Sequence, residues 1–288
     1  MWSIARDTVY AWVEHNASSL GAALSFYTLF STAPILVIAM AMAGSLFGRN
    51  AAEAQVLDQM RSLLGDAGAK AVQSLLSSAQ QSGLKGVAAG VAVITLLVGA
   101  TSVFGELQYT LDYIWKSPRK DSTAWWRIAR SRILSIGLIL GVGFLLLVSL
   151  IMSAALAALG AWLGTFLVRW SVILPAIDLV LSLGLTTILF AMIFKYVPRE
   201  AIAWGDVWIG GLATACLFSV GKLLIGLYLG RSSLSSAYGA AGSIMVLLLW
   251  IYYSAQIFLL GAEFTHVYTY TLGSRSRVAA DPLVRGQA

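Results

Sequence analysis

The chain has 288 residues, 59% hydrophobic and 11% charged, with a mean hydropathy of +0.81. Soluble domains carry about 25% charged residues, so this composition excludes a soluble enzyme, a disordered chain and a disulfide scaffold. One cysteine, two histidines and a net charge of +6 offer no thiol- or imidazole-rich metal site, and neither a metal nor another cofactor is expected.

Arg6, Asp7, Glu14 and His15 precede any long apolar run, so a cleaved leader is not expected. Over residues 2–20, helical spacing brings Trp2, Val9, Trp12, Val13 and Leu20 together, which predicts an amphipathic helix lying in the membrane interface. The first span is expected at 28–47, with Pro34 inside it. Over residues 51–82, Val56, Leu57, Met60, Leu63 and Leu64, then Val72, Leu75, Leu76 and Ala79, interrupted by Gly65 and Gly68, predict two short amphipathic helices forming an outer cap. Further spans are expected at 84–104, 133–159, 172–194, 207–229 and 243–264. Pro175 suits the first turn of the fourth. Residues 273–288 read as a mobile cytoplasmic tail. The expected fold is therefore all-α: one polytopic membrane domain over 1–272, with six transmembrane helices.

Lysine and arginine placement predicts the orientation. With the N-terminus inside, the second loop, fourth loop and both ends hold twelve basic residues, among them Arg119, Arg127, Lys195 and Arg199. The outer side holds six, from Arg49 to Arg231. Both termini are thus expected in the cytoplasm. Trp115, Trp125 and Trp126 stand among the second loop's basic residues, as an inner-face anchor would.

Several ordered motifs carry a resemblance. Residues 21–34, GAALSFYTLFSTAP, open the first span; Tyr196-Val-Pro198 follows the fourth; Trp204, Gly210 and Gly211 open the fifth. Tyr238-Gly239-Ala240 precedes the sixth, Trp250-Ile-Tyr252-Tyr253-Ser254 lies inside it, and Gly261-Ala262-Glu263-Phe264 ends it. Together, over residues 10–270, they resemble the YihY/BrkB family of bacterial inner-membrane proteins, once labelled ribonuclease BN. The resemblance implies a multi-pass helical protein of the inner membrane, and links to serum resistance and envelope lipid export. It implies no catalytic residue. Phosphodiester cleavage needs metal ligands and an activated water, which this chain's residues do not suggest, so neither a nuclease nor a nucleic-acid partner is expected.

Charges inside spans are costly and mark candidate sites. Asp178 and Lys222 fall at similar depths on successive spans, and are expected near each other in a polar cavity; a structural pair, or a lysine reaching outward, is the plainer alternative. Glu106 and Glu263 end the second and sixth spans and are candidates for an inner vestibule, bonded to Ser25, Tyr27 or Thr28; carboxylates resting in the wet interface are the alternative. Trp250, Tyr252, Tyr253 and Gln256 lie mid-span, either lining a path or packing. Gly-xxx-Gly spacings at 86, 137, 160 and 226 are weak packing signals.

No nucleotide-binding fingerprint accompanies these features. The expected function is an exporter or flippase-like transporter of an envelope lipid or other anionic amphiphile. The rivals are a non-transporting scaffold or accessory protein for envelope assembly and, less fitting, an intramembrane enzyme built on Ser219 and Lys222. Membrane lipids, an unidentified lipid or anionic substrate and a second copy of the chain are the expected partners.

Overall fold

A computed structural model describes residues 2–48, isolated positions between 53 and 77, and residues 102–116, 170–231 and 240–276. The side chains of 33–47, 170–175, Asp178, 230–231, 240–241 and 243 lie outside that description, as do nearly all of the second and third predicted spans, and the tail beyond 276. Every regular element among the described residues is helical. Described positions inside the predicted cap are also helical, and Ala69 and Val72 there are buried.

Helix α1 is Trp2–Glu14 and α2 is Ala17–Phe47. Asn16 breaks them with φ 55°, a left-handed conformation that asparagine tolerates. Its carbonyl then accepts from the Ser19 and Leu20 amides and starts α2. The amphipathic helix therefore stops at Glu14, before Leu20, and its inward face is Ile4 and Thr8. Trp2, Val9 and Val13 lie together on the opposite, exposed face. α2 starts well ahead of the predicted span and continues helically through Pro34.

Residues 102–114 form α3, which closes at Trp115 and Lys116, the latter at φ 47°. α4 is Trp170–Tyr196, α5 Trp204–Arg231 and α6 Ala240–Thr271. All three extend past the predicted ends, because in hydrocarbon a backbone amide has no partner outside the helix. Pro175 consequently stands in the second turn of α4, not the first. Pro198 lacks an amide to extend α4, and residues 197–203 turn the chain into α5. At the far end of α6, the Leu272 and Gly273 amides both donate to the Tyr268 carbonyl and stop the helix.

Among the described residues, the stretches long and apolar enough to cross a bilayer lie in α4, α5 and α6: Leu179–Tyr196, Trp204–Leu229 and Ile244–Thr271. Chain contacts divide into two units, 1–12 with 108–217 and 260–288, and 13–107 with 218–259.

Candidate functional site

α5 shows how this chain meets its surroundings. Its buried positions are Asp206, Val207, Gly210, Gly211, Thr214, Ala215, Gly221, Ile225 and Leu229, mostly small or polar. Its exposed positions include Leu212, Leu217, Val220, Leu223, Leu224 and Leu227. A water-soluble helix buries its large apolar side chains; this one turns them outward and keeps glycine and threonine inside, the arrangement helices adopt in lipid.

In the first unit, α5 and α6 meet through a reciprocal contact. A Cβ at Gly210 would lie 2.7 Å from the Cβ of Thr265, and one at Gly261 2.8 Å from that of Thr214. Each threonine stands four residues beyond the glycine of its own helix and donates its hydroxyl to that glycine's carbonyl at 2.7 Å. The glycines let the axes approach, and the threonines satisfy their own polar atoms. Gly211 makes a third close approach, with its Cβ direction 2.9 Å from the Thr187 carbonyl and 3.1 Å from Ala191. Two residues beyond Gly261, Glu263 is wholly buried, as are Thr110, Thr265 and Thr269 in the same unit.

Ionic contacts surround the α4–α5 connection. Arg199 bonds Asp112 through its amide at 2.8 Å and its Nε at 3.2 Å. Arg275 reaches Glu200 at 2.6 Å, and also donates to the Tyr270 hydroxyl and the Ala201 carbonyl. Burial pulls the Arg275 guanidinium down, but Glu200 and Tyr270 outweigh it and hold the group above its ordinary value. Asp206, in the first turn of α5, accepts from the Ser274 amide at 3.1 Å and hydroxyl at 2.6 Å. His266 lies against the rings of Trp115 and Tyr270, with centroids 5.1 and 4.9 Å away.

The second unit holds the mid-span group of α6. Gly21 allows Gln256 to lie against α2, where its Nε2 donates to the Ser18 carbonyl at 3.4 Å. The Gln256 Oε1 is buried with no hydrogen-bond partner among the described residues. Trp250 and Tyr253 pack on a cluster of Ile225, Leu229 and Val246, and Trp250 meets Phe218 edge-on at 6.3 Å. Tyr252 is half-buried.

Of the other predicted residues, Lys222 is half-buried and has no ion-pair partner among the described residues. The side chain of its expected partner, Asp178, lies outside them. Ser25 and Thr28 donate to carbonyls of their own helix, Gly21 and Leu24, rather than to a vestibule carboxylate. α6 continues eight residues past Glu263, so this carboxylate does not end its helix. Sequence reading missed the paired Gly-xxx-Thr contacts. It also missed Asp206 and the Arg199 and Arg275 bridges, whose partners stand far away along the chain.

Glu106, on α3 beyond the predicted second span, is half-buried, and burial raises its carboxyl above the ordinary 4.5. Its ionised form therefore disfavours folding: the penalty is absent below pH 4.5 and complete above the raised value. Stability should fall as pH rises through that interval, and Glu106→Gln should flatten the fall. Melting curves at closely spaced pH values check this; an identical profile in the variant contradicts it.

The outward apolar faces and inward threonines define a helical membrane protein. The chain belongs to the virulence factor BrkB family, whose model matches residues 8–282. It is 28% identical over 274 residues to a UPF0761 membrane protein of Albidiferax ferrireducens, covering 90% of this chain and 61% of that one. It is 30% identical to a UPF0761 membrane protein of Verminephrobacter eiseniae, covering 84% of this chain and 56% of the relative. A third such protein, from Psychromonas ingrahamii, is 27% identical, and the match covers 84% of this chain and 79% of that one. The chain thus spans about three-fifths of the first relatives' length. No solved structure matches it.

Proposed function

We propose that this chain is an inner-membrane transporter, exporter or flippase-like, that moves an envelope lipid or other anionic amphiphile. The observation that carries the reading is Glu263, a wholly buried carboxylate within a helix apolar enough to span a bilayer. Such a group costs several kcal/mol to keep in place, and ionisable residues retained inside membranes mark substrate or proton paths. Gln256, with a buried oxygen lacking a partner among the described residues, gives α6 a second polar point about 10 Å further along. On this reading Glu263 exchanges the proton that drives movement, and Lys222, in the other unit, attracts an anionic headgroup. Both termini face the cytoplasm, and the chain is not an enzyme.

The test is a flux assay with the purified chain in sealed vesicles, using a fluorescent phosphatidylglycerol analogue as cargo and an imposed proton gradient. Transfer above empty vesicles is expected, reduced about tenfold or more in Glu263→Gln if the carboxyl carries the proton. Folded protein that moves neither lipid nor protons overturns the reading in favour of a scaffold.

A further inference from the structure

We propose that the corner between α4 and α5 binds the headgroup of an anionic phospholipid from the surrounding bilayer, through Lys195, Tyr196 and Trp204. This lipid is a fixed companion of the fold, so the assignment stands whether or not the chain transports anything.

Depth comes first. Trp204 and Trp208 are exposed at one end of α5 and Tyr228 at the other. Trp204 and Tyr228 are 24 residues apart, about 36 Å along a helix. Hydrocarbon is about 30 Å thick and the full bilayer about 40–45 Å, so rings at this separation fall at the two headgroup boundaries. Large apolar side chains are exposed between them along the helix, from Leu212 to Leu227. The corner at 196–204 therefore lies where phosphates lie.

Charge comes second. The three carboxylates of this region are each engaged elsewhere, Asp112 by Arg199, Glu200 by Arg275 and Asp206 by Ser274. Lys195 has no carboxylate partner among the described residues. Its ammonium donates to the Ile202 carbonyl and lies 5.4 Å from the centroid of the Trp204 ring. An ammonium has three donors, so two remain for phosphate oxygens. The carbonyl and the ring hold the cation in place, which lowers the entropy lost on binding. Tyr196 stands edge-on to Trp204 at 6.0 Å, and both rings are about half exposed, 49% and 46%. A phosphate on Lys195 would lie beside these rings, with its acyl chains along Trp208 and Leu212. A choline or ethanolamine headgroup adds a positive charge beside Lys195, so a net-anionic lipid is favoured.

The experiment melts the full chain in neutral detergent with phosphatidylglycerol, phosphatidylcholine or inorganic phosphate. Phosphatidylglycerol should raise the melting temperature by about 3–5 °C more than phosphatidylcholine. Lys195→Gln should lose most of that difference, and Lys195→Arg should keep it. Equal shifts from both lipids, or an undiminished difference in Lys195→Gln, overturns the proposal. A shift from inorganic phosphate as large as that from phosphatidylglycerol overturns the lipid assignment in favour of a free-anion site. Should Lys195→Gln fail to fold, native mass spectrometry of Trp204→Leu gives the answer: loss of retained phosphatidylglycerol supports the site, and wild-type retention overturns it.

Discussion

Gly210→Ala is expected to destabilise the protein by about 3 kcal/mol, at the upper end of what overpacking costs. The added methyl would lie 2.7 Å from the Thr265 Cβ, closer than real Cβ atoms come. The obstruction is part of the helix and cannot swing away, so α5 and α6 must separate. Separation also opens the second contact, between Gly261 and Thr214, because both lie on the same pair of helices. Reversing the sizes provides the control. In Gly210→Ala with Thr265→Gly the methyl is accommodated and the number of helix glycines is unchanged, so the remaining loss should be about 1 kcal/mol, from the burial lost with the threonine methyl. Denaturant titration of the single and double variants measures both values. A single variant as stable as wild type would show that the crossing is not tight.

Asp206→Ala is expected to cost about 3 kcal/mol and to free the turn after α6, since hydrogen bonds to charged groups contribute about 1.5–3 kcal/mol each. The carboxylate is nearly fully buried and takes both the amide and the hydroxyl of Ser274. It also sits in the first turn of α5, where negative charge complements the helix dipole. Asp206→Asn keeps one acceptor oxygen and should lose about half as much. Limited trypsin digestion gives a local readout, because Arg275 is held by Glu200, Tyr270 and the Ala201 carbonyl. Cleavage after Arg275 should be faster in Asp206→Ala, and an unchanged rate would refute the anchoring role. Arg275 keeps its charge at any pH the fold survives, so loss of the arginine proton does not release this turn.

The helical class was legible because long apolar runs are a property of composition along the chain. Fourth-, fifth- and sixth-span positions agree with α4, α5 and α6 to within a few residues, apart from the C-terminal end of α6. That end is less apolar, carrying Glu263 and His266, and a hydropathy reading stops there. Its helix continues because Glu263 is buried and Thr265 and Thr269 bond within the helix. The end of α1 at Glu14 was not legible, because Leu20 continues the apolar spacing while the break at Asn16 is a matter of backbone conformation. The Gly-xxx-Thr contacts escaped notice because each is short and common, and their meaning lies in matching a second copy on another helix. Long-range pairs such as Arg275 with Glu200 depend on which chain ends meet, and one sequence does not encode that visibly.

The hydroxyls of Thr186, Thr187, Thr214, Thr265 and Thr269 all return to carbonyls one turn back on their own helix. None of these bonds ties one helix to another. At the two Gly-xxx-Thr contacts α5 and α6 therefore meet by shape, and the polar link described between these elements is Asp206 with Ser274, just beyond the end of α6. Such a contact behaves as a dry bearing with a pin at one end: stiff against compression, and checked in shear by Asp206.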